Sequence, residues 1–288
     1  MIIVTDRAAD LTPGQMQGLD IHFSPLRIVL DNKTYISGVD LQPEEFYQLL
    51  ENTESMPTTS LPSPGEFAEL YRTLAKRDPE ILSIHVSSGL SGTYQAAKAG
   101  AELVPQAHVT VWDSMTLSCP LGWQVEAAAQ AVKQGWQLDR ILALLDKCRT
   151  QVDGMFTLTN LKYLIHGGRI SHIAGLVASL LSIKPIIMVD KVSGKYAQHG
   201  QEVTIKRALN KLVDIVLHLH VPGSPIRIQL LRSMGDEGIQ YLHEKLDGLF
   251  QCNWLEPATV APVLGAHTGA GMSGLCVGPA DLFKDLGI

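Results

Sequence analysis

Short apolar runs alternate with longer stretches of helical spacing through the first half of the chain. Met1–Val4, Glu80–Val86 (EILSIHV) and His108–Trp112 read as buried strands. Each ends in small polar residues: Thr5-Asp6, Ser87-Ser88 and Asp113-Ser114. Between them lie helical patterns at about Pro13–Gly18, Pro43–Glu51, Pro64–Lys76 and Thr93–Leu103, followed by Leu117–Lys133 and Leu138–Thr150. Thr12-Pro13-Gly14-Gln15 and Ser63-Pro64-Gly65-Glu66 carry the N-cap, first-turn proline and capping-box residue of a helix start. His22–Leu30 and Thr34–Ile36 flank Asp31-Asn32-Lys33 as a hairpin. Strands alternating with helices predict a parallel sheet with right-handed crossovers, and ligands of such sheets bind at the carboxyl ends of the strands.

The pattern changes near Gln151–Gly154, which divides the chain into domains at 1–153 and 154–288. The second part predicts strands at Met155–Leu158, Ser182–Val189, Tyr196–His199, Ile226–Leu231 and Gly274–Val277, with strand signal over Trp254–Val263. Helical spacing covers Asn160–Ile165, Val203–Leu219 and Glu237–Leu246. Ser171–Leu181 reads as an apolar helix, and His267-Thr268-Gly269-Ala270-Gly271 as a glycine-rich turn.

Composition narrows the function. At 288 residues, 45% hydrophobic and 18% charged, the chain has the make-up of a soluble two-domain protein. A net charge of −6 without a basic block argues against nucleic acid as a partner. The four cysteines, Cys119, Cys148, Cys252 and Cys276, form no CxxC pair, which points to a reducing cytoplasm and away from a zinc site. No run approaches the ~20 apolar residues of a membrane span, and the early charges of MIIVTDRAADL do not suit a signal peptide. Neither a metal nor a cofactor is implied.

Two stretches carry candidate chemistry. Ser87–Ala97 (SSGLSGTYQAA) joins a strand to a helix, where backbone N–H groups and the hydroxyls of Ser87, Ser88, Ser91 and Thr93 suit an oxyanion. Gly89 and Gly92 would let a ligand approach the backbone closely. The plainer role for Ser91 is an N-cap. Met56–Glu66 (MPTTSLPSPGE) holds three prolines and four hydroxyl residues in eleven positions, a stiff segment that fixes Thr58–Ser60 ahead of a helix. Asp6 and Asp113 suit turn or N-cap roles as well as ligand contact.

Seven stretches taken together, VTDRAADL at Val4–Leu11, PTTSLPSPGEF at Pro57–Phe67, SSGLSGTYQAA, DSMTLS at Asp113–Ser118, HGGRIS at His166–Ser171, Lys184-Pro185 and GAHTGAG at Gly265–Gly271, resemble the DegV family of bacterial fatty-acid-binding proteins. The resemblance spans the chain in order. It implies an α/β fold of two domains, an N-terminal parallel-sheet domain and a C-terminal mixed-sheet domain, with an acyl chain such as palmitate, stearate or oleate buried between them. It implies a non-enzymatic carrier that presents the carboxyl group to a separate ATP-dependent fatty acid kinase, which makes acyl phosphate. Thr59, Ser91 and His267 resemble the family's carboxylate-binding residues; Ser60, Gly92, Thr93 and Thr268 flank them in the same motifs and join the expected fatty-acid site. Arg169 resembles an arginine at the pocket mouth concerned with phosphoryl transfer. The apolar segment Ile173–Leu181, with Gly175 and Ala178, would wall the pocket. The chain departs from the pattern at Arg7 (usually serine), Leu61 (usually glutamine), Ile165-His166 (usually more basic) and Ala270 (often proline).

Two other readings compete. A serine acyl hydrolase would use Ser91, His267 and Asp6 or Asp113, although Gly89-Leu90-Ser91-Gly92-Thr93 misplaces the last glycine of a nucleophile elbow. A phosphate- or nucleotide-binding protein would use the Ser-Gly loop, but the chain has neither a P-loop nor a dinucleotide fingerprint after a strand.

Overall fold

The computed structural model describes residues 1–172 and 183–288. The predicted helix at Ser171–Leu181 and its proposed role as a pocket wall fall largely outside those residues.

The first half is built on β1 (Ile2–Asp6), whose five residues are all buried. After α1 (Pro13–Met16) the chain returns as β2 (Ile21–Ser24), parallel to β1. Pro25 lacks the N–H a ladder needs, so the run from His22 to Leu30 is not one strand. It breaks there, and β3 (Arg27–Leu30) turns into a separate small sheet with β4 (Lys33–Ile36). Asp31 and Asn32, both at positive φ (51° and 61°), make the two-residue turn. After α2 (Pro43–Asn52) the proline-rich segment contributes a strand of its own, β5 (Thr58–Ser60), antiparallel to β3 with Thr59 opposite Ile28. Then follow α3 (Pro64–Leu74), β6 (Glu80–His85), α4 (Thr93–Glu102), β7 (His108–Asp113), α5 (Ser118–Lys133) and α6 (Leu138–Gln151). The main sheet runs β2-β1-β6-β7, all parallel. Both capping boxes form: Thr12 Oγ1 accepts from the Gln15 amide at 3.4 Å and Ser63 Oγ from the Glu66 amide at 3.3 Å.

The second half starts at β8 (Asp153–Leu158), followed by α7 (Lys162–His166) and a 3₁₀ turn at Arg169–His172. Next come β9 (Lys184–Val189), β10 (Tyr196–Glu202), α8 (Ile205–Leu219), β11 (Pro225–Arg232) and α9 (Glu237–Asp247). The chain ends through β12 (Gln251–Trp254), β13 (Ala258–Thr259), α10 (Pro262–Thr268), β14 (Met272–Pro279) and a 3₁₀ segment. This sheet is mixed, in the order β10-β9-β8-β14-β11-β12, with β13 beside β11. Its outer face is closed by α8 and α9 over Leu212, Ile226, Leu242 and Leu275.

The inner face of the second sheet meets the first half across α5. That helix is buried on nearly every side because it touches β1 and β6 on one side and β8 on the other. One continuous apolar core therefore runs from Ile3 and Leu82 through Trp123 to Leu158 and Leu264. Polar side chains buried in this junction are paired across it. Glu126 accepts from Arg227 and from Gln15, both at 2.8 Å, and Trp123 Nε1 donates to Gln229 at 2.7 Å. A buried charge without a partner would cost several kcal/mol, so this network couples the halves.

Candidate functional site

The carboxyl ends of β1 and β6 open onto a cavity of about 310 Å³ between the two halves. Its polar lining is Thr59, Ser60, Ser91, Arg169 and His267. The rest is apolar, with Ala8, Leu26, Val86, Leu90, Leu117, Val263 and Leu264. Tyr196, Leu117 and Leu264 also line a second, narrower chamber of about 30 Å³ that continues inward past Phe156, Val189 and Met272. The rings of Phe156 and Tyr196 meet edge-on at 5.7 Å in this region.

Each polar group is held by local structure that the sequence encodes. Thr59 is fixed on one side by pairing with Ile28 and on the other by the capped start of α3. His267 lies in the last turn of α10, not in a glycine turn. Pro262 starts that helix and Gly269, at φ 75°, ends it. His267 Nε2 is 3.1 Å from Thr59 Oγ1. Its Nδ1 is buried without a hydrogen-bond partner among the described residues. A bare lone pair there is cheaper than an orphaned N–H, so the favoured tautomer carries its proton on Nε2 and donates it to Thr59 Oγ1. The Thr59 hydroxyl proton is then available to a ligand. Burial, reinforced by the charges of Arg169 and His166, lowers the His267 pKa to about 4, which keeps the ring neutral at pH 7.

Gly167 explains the close fit of that ring. A Cβ at this position would lie 2.0 Å from His267 Nδ1, so the turn can close over the imidazole only without a side chain at Gly167. The same turn aims Arg169 into the cavity wall, with Nη1 donating to the Gly167 carbonyl at 2.6 Å.

Ser91 combines a structural and an available group. Its Oγ lies 2.9 Å from Thr93 Oγ1 and accepts the Thr93 amide at 3.3 Å, although Gly92 is the N-cap of α4. With the Thr93 hydroxyl donating to Ser91, the Ser91 proton is left to point elsewhere. Thr93 itself is fully buried and does not line the cavity. Gly92 does not line it either; a Cβ there would sit 3.2 Å from Leu61 Cδ2. Thr268 lies on the inner chamber, where its hydroxyl donates back to the Leu264 carbonyl at 3.3 Å. The structure thus gathers Thr59, Ser60, Ser91, His267 and Arg169, and sets Gly92, Thr93 and Thr268 behind or beyond them.

Ser87 and Gly89 serve the junction between the halves. Ser87 Oγ donates to the Gly194 carbonyl at 2.7 Å, and a Cβ on Gly89 would fall 2.4 Å from the Ser193 carbonyl oxygen. The glycine that was expected to admit a ligand admits the β9–β10 turn instead.

The acids proposed for a hydrolytic triad are engaged elsewhere. Asp6 accepts from the Ala8 and Val86 amides at 2.9 and 3.0 Å and lies 3.0 Å from His85 Nδ1, fully buried. Asp113 accepts from the Ser88 and Met115 amides at 3.2 and 3.0 Å. Neither orients His267, so the arrangement lacks the third member that an activated serine needs.

Chain relatives share this architecture. A family model described as an uncharacterised protein of the DegV family matches residues 1–280. The chain belongs to the DegV family. A DegV domain-containing protein of Staphylococcus aureus (strain N315) is 34% identical over 278 residues, covering 96% of this chain and 98% of that one. Among solved structures, a DegV family protein from Thermus thermophilus described by its fatty acid binding superposes with a TM-score of 0.87 at 28% identity, over 96% of this chain and 99% of that one. DegV of Bacillus subtilis, described as a fatty acid binding protein, gives a TM-score of 0.87 at 28% identity, over 96% and 98%. The DegV fold of two α/β units, one sheet parallel and one mixed, is the fold of this chain.

The cavity walls were not legible beforehand. Tyr196, Phe156 and Leu264 are apolar or aromatic residues at ordinary strand and helix positions, Leu26 lies in the short link between β2 and β3, and nothing in the sequence separates a residue facing a cavity from one facing the core.

Proposed function

We propose that this DegV protein holds one long-chain fatty acid between its halves, divided at residues 153 and 154, and presents the carboxylate to a fatty acid kinase that forms acyl phosphate. The observation that carries the reading is a mainly apolar cavity between the halves whose lining includes Thr59, Ser91, His267 and Arg169, with Thr59 and His267 in hydrogen-bond contact. The fatty acids bound by the Thermus and Bacillus relatives support the ligand class. A sixteen-carbon chain buries about fourteen methylenes at ~0.8 kcal/mol each, roughly 11 kcal/mol gross. Association removes at least ~4 kcal/mol of that. The acyl chain therefore supplies most of the affinity, and the head-group residues set register. Thr59 and Ser91 donate hydroxyl protons to the carboxylate, with His267 orienting Thr59. Ser60 lies beside them, and Thr93 and Thr268 act through Ser91 and through α10.

Arg169 is the residue assigned to transfer. A guanidinium bonds two phosphate oxygens at once, and phosphoryl transfer depends on neutralising the charge of the transferring group. Its use implies a cytoplasmic protein with access to an ATP-dependent partner. The test is paired, on the same preparations of wild type and Arg169→Ala: fatty acid affinity, and acyl phosphate formation with ATP and a fatty acid kinase. Affinity should stay within about threefold, because the chain supplies most of it, while acyl phosphate forms far more slowly. Arg169→Lys should recover part of the rate. Equal losses in both assays would make Arg169 a ligand or folding residue, and normal transfer by the alanine variant would remove it from the mechanism.

A further inference from the structure

A second cleft between the halves, about 460 Å³, lies at the carboxyl ends of β1 and β2 and shares no lining residue with the fatty-acid cavity. Its wall holds Arg7, which has no ion pair or hydrogen bond to any described residue. Arg7 Nε is buried and unpartnered, and burial lowers the pKa of the group. The guanidinium is nevertheless well fixed. It lies over the Phe23 ring at 4.0 Å, and on another side it meets Gly38, where a Cβ would sit 3.5 Å from Arg7 Cδ. A second guanidinium, Arg232, lines the same cleft. Its Nη1 is paired with Asp236 at 2.7 Å, but its Nε is buried without a partner.

One hydroxyl on the cleft has a proton to give. Thr12 Oγ1 accepts the Gln15 amide, so its oxygen is occupied as acceptor while its proton is not taken up in that bond, whereas Ser37 is wholly buried and offers none to the cleft. The carboxylates present do not answer Arg7. Asp10 has both oxygens engaged, by Ser118 at 2.5 Å and the Ala261 amide at 2.8 Å. Glu44 and Glu256 are exposed at the rim and face water.

We propose that this cleft is a second ligand site, in which the Arg7 guanidinium, helped by the positive charge of Arg232 and the Thr12 hydroxyl, binds the oxyanion group of a small water-soluble molecule. A phosphate or a carboxylate would satisfy the same donors, because the guanidinium fork matches both. The rim glutamates disfavour highly charged polyanions, so the ligand carries one such group or two. The site stands independently of fatty-acid binding.

The test follows the arginine Nε–Hε resonances of ¹⁵N-labelled full-length protein while inorganic phosphate or succinate is added, each against sodium chloride at matched ionic strength. The Arg7 signal is assigned by its loss in Arg7→Ser. The expected result is a saturable shift of that signal with one or both anions below about 10 mM, absent with chloride. Saturation by phosphate alone or by succinate alone identifies the group. In parallel, a thermal midpoint that rises and saturates with the same anion should require at least tenfold more anion in Arg7→Ser. Arg7→Lys should fall between, and because it keeps the stem and the charge it also serves should the serine variant fold poorly. Fatty acid content should be unchanged in both variants. Failure of both anions to saturate above the chloride control, or anion binding by Arg7→Ser equal to wild type, would overturn the assignment.

Discussion

At the scale of single residues, the head-group end rests on hydroxyl protons freed by their neighbours. Ser91→Ala removes one charge-assisted hydrogen bond, about 1.5–3 kcal/mol, and should weaken fatty acid binding roughly ten- to a hundredfold. The midpoint of the ligand-free protein should fall as well, because Ser91 Oγ also accepts the Thr93 amide and lies 2.9 Å from the buried Thr93 hydroxyl. A large loss of apo stability with unchanged affinity would make Ser91 structural. Thr59→Val should resemble Ser91→Ala in a titration with the same fatty acid. His267 adds a pH signature. Its pKa is about 4 in the folded protein and about 6.5 unfolded, so between those values the unfolded chain binds the extra proton. The contribution is complete above about pH 6.5 and is lost as pH falls towards 4. Denaturant titrations of wild type and His267→Gln should therefore converge on acidification through that window; parallel curves would mean that the ring is not held neutral. Gly167→Ala places a methyl carbon against His267 Nδ1, and should lower fatty acid affinity as much as removing the imidazole does.

At the scale of elements, the β9–β10 turn locks against the loop after β6. Gly89→Ala must push the Ser193-Gly194 backbone away, which overpacking places at about 1–3 kcal/mol of lost stability. Denaturant unfolding of that variant measures it, and a neutral result would show that the turn is free to move. How far the elements could be read beforehand follows from where their causes lie. The capping boxes at Thr12–Gln15 and Ser63–Glu66 are local, and they form as the spacing predicts. The His22–Leu30 run, HFSPLRIVL, reads as one arm of a hairpin, yet Pro25 and the pull of two different sheets divide it into β2 and β3. Met272–Pro279 was legible only as a short Gly274–Val277 strand. It is a central strand with low intrinsic preference, made possible because Gly274 faces the Met155 carbonyl and Phe156 at distances no side chain would allow. His267 was placed in a turn because the glycines after it dominate the local signal, whereas Pro262 and burial against the first half extend α10 through Thr268. The candidate residues Thr59, Ser91, His267 and Arg169 were found through motifs, but their separation from Thr93 and Thr268 depends on which way strands and helices face.

At the scale of the whole molecule, the two halves share one core, and the cavity is the gap left between them. Asp10 marks how closely they are joined. It accepts the Ala261 amide at the start of α10 and is buried, and burial raises its carboxyl pKa to about 7. The sign is opposite to that of His267. Between about pH 4 and 7 the folded state keeps a proton that the unfolded chain releases, so stability falls as pH rises through that range. Asp10→Asn keeps an acceptor for Ala261 and should remove this slope, with a gain of up to about 4 kcal/mol at pH 8, read from urea unfolding at pH 5 and 8. A wild-type slope retained in the variant would assign it to other groups. The cavity itself gives the most direct test of function. Protein purified without added lipid and without a delipidating step should yield, on organic extraction and mass spectrometry, close to one equivalent of long-chain fatty acid. Less than about a tenth of an equivalent, together with no uptake of added palmitate or oleate at concentrations that suit such an affinity, would contradict the account.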